Sequence, residues 1–464
     1  MMHIGLIDTL DKSSVLPMPN PAIASLAGYL IEHGHKVEIL DLFFSDQTSQ
    51  ETFFKKNFGL IGITATSYAL PVLRKTVHRL KDYNPYTPIV IGGAHASVTK
   101  EEVLNEPGID FAIYGEGEIP LLQLVEALQE HSSSSYTKLQ NIRGLIFRYK
   151  ENIIMNPPCE RINNLDILPM PPYDIFPIEK YQGYTLNTSR GCPYNCIYCA
   201  SKVILGNTWV GKSPGRITEE IEYIIERWGK RHFHIVDDNF NHNENRVKEF
   251  CSLLISKKLD IKWNPCGIRA DRTDPEMLAL MKQSGCGIVS IGIESADSDI
   301  LENIGKGESI QQIIKGVSRI KEAGLPVIGM FMIGNPGDTL KSIRETIKFA
   351  QSLNLTETRF YPARPYPGTK LWEFVEKNGK LLDNYENFCD FSEKPFFITK
   401  DFTYRQRIKA YRETRKFMPI ESRRKMATNI LQFLKASSHV IPRLLYCCIR
   451  RKDTNKINTR YAKQ

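Results

Sequence analysis

Short apolar runs alternate with amphipathic stretches through the first third of the chain. Residues 3–7 read as a buried strand and residues 20–33 as a helix, with Pro21 in its first turn and Gly34 at its end. Residues 37–42, 60–64, 89–92 and 111–114 follow as strands, and 70–83 as a helix. Such alternation predicts a parallel, doubly wound α/β sheet, which takes ligands beyond the carboxyl ends of its strands. Residues 145–149 and 153–154 read as a small hairpin, and Ser132-Ser133-Ser134-Ser135 as a loop.

A second series begins near residue 184. Strand-like runs at 184–188, 232–236, 261–268, 287–293, 327–333 and 358–361 alternate with helical patterns such as 217–228, 246–257 and 310–322. Six βα units make a partial barrel, whose chemistry belongs at the carboxyl ends of its strands. The Pro-rich stretch Leu168-Pro169-Met170-Pro171-Pro172-Tyr173 separates the two series. The predicted organisation is a domain over 1–150, a linker over 151–179, a second domain over 180–380 and a helical C-terminal region over 381–464.

Composition adds a location for the charge. Hydrophobic residues at 42% and charged residues at 24% are ordinary for a globular chain, and 464 residues suffice for two or three cores. The net charge of +9 is unevenly spread: residues 401–464 carry +13 and the first 400 carry −4. A slightly acidic body argues against nucleic acid lying across it. The basic tail, with helices expected at 404–417 and 423–434 and an apolar run at 440–449 flanked by arginines, reads as a cap with a solvated outer face or as a peripheral contact with an anionic membrane. No apolar run approaches the roughly 20 residues that span a bilayer. Ten irregularly spaced cysteines, the first at Cys159, do not form a secreted disulfide framework and suit a reducing cytosol.

Three of these cysteines carry chemistry. Thr188-Ser189-Arg190-Gly191-Cys192-Pro193-Tyr194-Asn195-Cys196-Ile197-Tyr198-Cys199 sets them at C-x3-C-x2-C spacing directly after a strand. Thiolates so close in sequence can converge on one iron–sulfur cluster, whereas zinc sites favour paired C-x2-C knuckles and four ligands. Of the remaining cysteines, Cys266 is the one whose predicted strand allows it to face the barrel. Upstream, small and hydroxyl-bearing residues follow the strands of the first domain: Thr64-Ala65-Thr66-Ser67, Gly92-Gly93-Ala94-His95 and Gly115-Glu116-Gly117-Glu118. Small residues let a large ligand approach the backbone. On their own, Glu116 and Glu118 read as solvated loop acids. Downstream, the barrel strands end in Asp237-Asp238-Asn239, Arg269-Ala270-Asp271, Glu294-Ser295 and Gly334-Asn335-Pro336-Gly337-Asp338.

The cysteine spacing, with an aromatic residue before the third cysteine, resembles the signature of the radical S-adenosylmethionine (SAM) enzymes. The loops before it resemble the cobalamin (B12)-binding domain that many of them carry, although the D-x-H-x-x-G motif of histidine-ligated cobalamin is absent. Tyr366-Pro367-Gly368-Thr369 resembles a loop of the cobalamin-dependent branch. The resemblance implies a doubly wound Rossmann-like cobalamin-binding domain, a partial (β/α)6 TIM-like radical SAM barrel and a helical, basic C-terminal region. It implies a [4Fe-4S] cluster on Cys192, Cys196 and Cys199, whose open iron chelates SAM. Cobalamin contacts would come from Thr64, Thr66, Ser67, Gly92, Gly93, His95, Glu116 and Gly117, with His95 a pocket residue and not a cobalt ligand. Asp237, Asp238, Arg269, Glu294 and Ser295 would contact SAM. For Asp237 and Asp238 helix capping, and for Arg269 a structural salt bridge, are the alternatives. The implied reaction reduces SAM to methionine and a 5′-deoxyadenosyl radical, which takes hydrogen from an unactivated substrate centre that then receives a cobalamin-borne methyl group. Ring cyclisation with the same cofactors and a non-catalytic cobalamin or redox sensor are the rival functions. The implied partners are a small-molecule or lipid-like substrate and an electron donor such as flavodoxin or ferredoxin.

Overall fold

The computed structural model describes residues 1–9, 18–129, 135–181, 183–387 and 394–415. Seven strands form the first sheet: β1 (His3–Asp8), β2 (Lys36–Asp41), β3 (Leu60–Thr64), β4 (Ile89–Gly92), β5 (Phe111–Ile113), β6 (Leu145–Tyr149) and β7 (Asn152–Met155). Their order is β2-β1-β3-β4-β5-β6-β7. The first five strands run parallel, in a doubly wound order whose direction reverses between the paired strands β1 and β3, the place where such sheets take ligands. The hairpin expected from the sequence is β6–β7. It does not stand apart: β6 pairs antiparallel with β5, so the sheet is mixed and continues to Met155.

Local sequence explains the flanking helices. Asn20 caps the helix Pro21–Glu32, its side chain accepting from the amides of Ala22 and Ile23, and Pro21 supplies the fixed φ of a first turn. Ile23, Ala24, Ala27 and Leu30 face the sheet through this helix, as Leu70, Leu73, Val77 and Leu80 do through the helix Leu70–Tyr83 on the other side. Both faces of the sheet are therefore covered, which is why its strands read as continuous apolar runs.

The second half contains the six predicted parallel strands. They are β8 (Tyr184–Leu186), β11 (His232–Ile235), β12 (Lys262–Pro265), β13 (Val289–Glu294), β14 (Val327–Ile333) and β15 (Glu357–Pro362), with a two-residue ribbon of β9 (Ser189–Arg190) and β10 (Val210–Gly211) after β8. The order β8-β11-β12 continues to β13-β14-β15 through the parallel bridges Trp263–Cys286 and Ile268–Ile291, which gives a partial barrel. Strand β12 is shorter than the run at 261–268 suggests. At Gly267 the backbone takes φ +70°, and a Cβ there would stand 2.5 Å from the Asp237 carbonyl oxygen, so the chain turns where two strand ends crowd together.

The helix Tyr404–Arg415 matches the first predicted tail helix. The expected helix at 423–434, the run at 440–449, Cys389, Cys447, Cys448 and Ser132–Ser134 lie outside the described residues. Among the described residues no helix is long and apolar enough to cross a membrane.

Candidate active site

At the carboxyl ends of β1, β3, β4 and β5 lies an open cavity of about 350 Å³. Thr64, Gly92, Gly93, Glu116 and Gly117 line it, and Leu6, Ile23, Leu26, Ile63, Val90 and Ile113 make its walls largely apolar. The opposite wall comes from the barrel: Asn187, Arg190, Val236 and Asp238, with Ile204 and Leu205. Gly93 holds φ +90°, and a Cβ there would sit 2.6 Å from Thr64 Oγ1, so a side chain would both strain the backbone and fill the floor. Thr66, Ser67 and His95 lie outside the lining. Ser67 Oγ and His95 Nδ1 are 3.2 Å apart and buried, and burial pulls the imidazole down to about 4. His95 therefore stands neutral behind the cavity.

Glu116 and Glu118 are not solvated. They are 7% and 4% exposed, and both bind Arg190, two residues before Cys192. Arg190 Nη1 lies 3.1 Å from Glu116, while Nη2 lies 2.6 Å from Glu118 and donates to Ser25 Oγ. Arg161 pairs with Glu116 at 3.2 Å, and Glu116 also accepts from the Ile162 amide. Burial alone would raise the Glu118 carboxyl, but Arg190 and Ser25 hold it below the usual range. Two carboxylates and two guanidiniums thus fasten the first sheet to the strand that enters the cysteine loop. Solvated acids were the wrong expectation because their partners lie 72 and 74 positions away in sequence.

The entry to that loop is fixed from the barrel side. Asp237 accepts from Thr188 N, Thr188 Oγ1 and Ser189 Oγ at 2.5–2.7 Å, and is fully enclosed by these partners. Burial pushes its carboxyl up, against Arg246 and these hydroxyls. Asp238 is solvent-facing, accepts from the Gly191 amide at 2.9 Å and reaches the cavity. Gly191 has φ +84°, and a Cβ would meet the Thr208 carbonyl at 2.2 Å, so this turn into Cys192 admits only glycine.

Within the loop, the Cys199 amide donates to the Cys196 carbonyl at 3.1 Å, and Asn239 Nδ2 lies 3.8 Å from Cys192 Sγ. Burial raises the thiols of Cys196 and Cys199, the latter to about 12, so ligation of metal must displace their protons. Among the described residues no three His, Cys, Asp or Glu close on a single ion.

A charged network borders the loop. Tyr198 donates to Glu294 at 3.0 Å, and Lys306 Nζ stands 3.5 Å from Glu294 and 3.3 Å from Glu308. Arg269 pairs with Asp271 at 2.9 and 3.0 Å, donates to the Lys306 carbonyl and lies 3.5 Å above the Tyr194 ring. The salt-bridge alternative for Arg269 is thus realised in its geometry. Glu294 carries φ +69° beside a register shift in β13, a conformation costing about 1–3 kcal/mol that a buried non-glycine residue keeps only where its surroundings impose it. Ser295 is buried and its hydroxyl accepts from the Asp297 amide. Cys266 is exposed to solvent, and desolvation, with Asp237 adding to it, raises its thiol.

Two buried acceptors at strand ends lack donors: Asn239 Oδ1 after β11 and Asn335 Oδ1 after β14. The sequence assigns no role to Lys306, Arg161 or Arg190, and it offers Tyr198 and Asn239 only as members of the cysteine motif and of the Asp237-Asp238-Asn239 strand end. Arg190 and Tyr198 lie inside the cysteine motif, which was the available signal; Lys306 has none beyond its flanking glycines.

These features define an α/β enzyme in which a doubly wound ligand-binding half faces a partial barrel across a shared cavity. The B12 binding domain family matches residues 9–125 and the Radical SAM superfamily matches residues 186–350. An uncharacterized methyltransferase of Pyrococcus horikoshii is 35% identical over 405 residues, covering 85% of this chain and 86% of the relative. The anaerobic magnesium-protoporphyrin IX monomethyl ester cyclase of Rubrivivax gelatinosus is 27% identical, over 82% of this chain and 69% of the relative. The radical SAM methyltransferase TsrM of Kitasatospora setae, solved with cobalamin and a [4Fe-4S] cluster bound, superposes with a TM-score of 0.70 at 20% identity, over 81% of this chain and 75% of TsrM. The chain belongs to the radical SAM enzymes that carry a B12 binding domain.

Proposed function

We propose that this enzyme is a cobalamin-dependent methyltransferase that methylates an unactivated carbon or phosphorus centre of a small-molecule or lipid-like substrate. The observation that carries the reading is the shared cavity: the small-residue loops of the first sheet and the strand entering the cysteine loop are walls of one space. A carrier held by the first is then beside whatever the second activates.

The residues fit the implied groups. Cys192, Cys196 and Cys199 hold the cluster, and Asn239 donates toward the first of them. The floor at Thr64, Gly92, Gly93 and Gly117 admits a flat, bulky ligand close to backbone, as cobalamin requires. Thr66, Ser67 and His95 support that floor from behind, and Glu116 acts through Arg190. For SAM, Asp238 and the free acceptors of Asn239 and Asn335 offer bonds to its amino groups, Glu294 to its ribose, and Lys306 with Arg269 a positive field for its carboxylate. Asp237 and Ser295 position the backbone around it. When bound, the cluster with SAM supplies a 5′-deoxyadenosyl radical and cobalamin supplies the methyl group. The protein's part is to orient these groups and keep water out. An electron donor such as flavodoxin or ferredoxin completes the cycle. The reaction suits a reducing cytosol, with the basic tail as a peripheral membrane contact where the substrate is lipid-like.

The methyltransferase names of relatives support this reading over ring cyclisation. The test is anaerobic reconstitution with iron, sulfide, cobalamin and SAM, followed by incubation with a one-electron reductant and cellular small-molecule and lipid fractions. Formation of 5′-deoxyadenosine together with a product heavier by one CH2 is expected. A product that is only dehydrogenated or oxygenated would reverse the assignment.

A further inference from the structure

The cysteine loop has a second side. Between Cys196 and Tyr198, the Ile197 amide donates to the Ile304 carbonyl and the Ile197 carbonyl accepts from the Leu371 amide, each at 2.9 Å. Ile197 also lines a second, more open cavity of about 800 Å³ that shares no residue with the first. The turn Pro336-Gly337-Asp338 and Phe374 form part of its wall, and Lys377, Lys380 and Lys400 stand at its edge. All three lysines are exposed, and none makes an ion pair with a described residue. Asp338 offers them no compensation: it is buried and accepts from the amides of Gly334 and Asn335 and the hydroxyl of Ser342. Asp401 is the one exposed acid in the lining. The bowl is therefore net positive, in a body that is net negative over its first 400 residues.

We propose that this bowl docks a small acidic one-electron carrier protein, which reduces the cluster through the backbone at Ile197. The inference rests on the assignment of the cluster to Cys192, Cys196 and Cys199. Each reductive cleavage of SAM consumes one electron: the carrier is oxidised by one, the [4Fe-4S] cluster passes from the 2+ to the 1+ state, and no proton moves in that step. A protein carrier cannot enter the barrel lumen, where SAM and substrate are held, so it must approach the loop from outside. Ile197 offers such an approach, one covalent residue from a cluster ligand. Electron-transfer partners bind through small, transient interfaces, and exposed lysines at a rim steer carboxylates toward it without needing a large apolar contact.

The test compares the wild-type full chain with a Lys377→Glu, Lys380→Glu, Lys400→Glu triple variant, both reconstituted anaerobically. Flavodoxin hydroquinone and photoreduced 5-deazaflavin serve as alternative reductants, and flavodoxin affinity is also measured by calorimetry on the protein before reconstitution. For the variant, flavodoxin-driven cluster reduction should fall at least about tenfold and calorimetric binding should weaken in step. Wild-type rates should fall with added salt. Deazaflavin-driven 5′-deoxyadenosine formation should not change. Flavodoxin rates equal to wild type would overturn the proposal. A variant that loses substrate turnover under deazaflavin as well would overturn it in favour of an anionic small molecule in the bowl. If wild type makes no 5′-deoxyadenosine with either reductant, the cluster assignment itself fails, which is a separate result.

Discussion

The cavity at the first sheet and the charged network bordering the cysteine loop differ in what they are made of. The first is mostly aliphatic side chain and bare backbone, with Gly92, Gly93 and Gly117 where a large ligand would press. The second is a mesh of charges, running from Tyr198 through Glu294, Lys306 and Glu308 to Arg269 and Asp271. The Arg190–Glu116–Glu118 clasp joins the two. An apolar wall recognises shape and tolerates any substitution that preserves volume. A buried charge mesh tolerates no single deletion, because the partner is left uncompensated. The contrast suits the chemistry: a broad, stiff carrier ligand on one side, a small zwitterion and a charged cluster on the other.

The clasp is where the difference should be largest. Arg190→Met leaves Glu116 and Glu118 buried with one counter-charge fewer, and should destabilise the protein by about 3–5 kcal/mol in urea unfolding. A loss below about 1 kcal/mol, the scale of a surface pair, would mean that the clasp is solvated after all.

The ionisable group behind the apolar cavity gives the next effect. The folded-state pKa of His95 is depressed by burial, so the unfolded chain binds the extra proton between pH 6.5 and about 4. Stability from this residue is present above pH 6.5 and is lost as pH falls through that window, by at most about 1.4 kcal/mol per pH unit. His95→Gln should flatten this acid limb in thermal melts recorded from pH 7 to 4; an unchanged limb would place the titration elsewhere.

On the floor of the same cavity, Gly93→Val should weaken cobalamin binding about tenfold or more, because φ +90° is strained for a branched residue and its Cβ crowds Thr64. SAM cleavage should survive, which separates the two sites; joint loss would show that they are not separable.

The smallest effect concerns the cluster. Hydrogen bonds to ligand sulfur stabilise the more negative, reduced state. Asn239→Leu should therefore shift the cluster to a more negative potential in an EPR-monitored redox titration, without loss of iron. An unshifted potential would show that the 3.8 Å contact to Cys192 does not act as a hydrogen bond.

Periodicity and local spacing made much of this legible. The first five strands and all six barrel strands overlap the runs that predict them, although β15 is only half-buried along its length and β12 is shorter than its run. The cysteine triplet is a local motif and needs no tertiary information to be seen. The charge mesh was not legible. Glu294 and Lys306 meet 12 positions apart, and Glu118 and Arg190 72 apart, only because the barrel closes and the first sheet docks on it. Glu116 and Glu118 looked like loop acids for that reason. Asp237, a candidate SAM contact in sequence, has its carboxylate turned to Thr188 and Ser189, a use no spacing rule reveals. The shortening of β12 followed from Gly267, whose close approach to Asp237 is a property of two neighbouring strand ends.

The proposed reaction requires Cys192, Cys196 and Cys199 to hold a cluster with an iron open to SAM. The most direct measurement is the EPR spectrum of the anaerobically reconstituted, reduced protein with and without SAM. A [4Fe-4S] signal that changes when SAM is added and is absent in Cys196→Ala is expected. A signal identical in the presence and absence of SAM, or one that persists in Cys196→Ala, would contradict it.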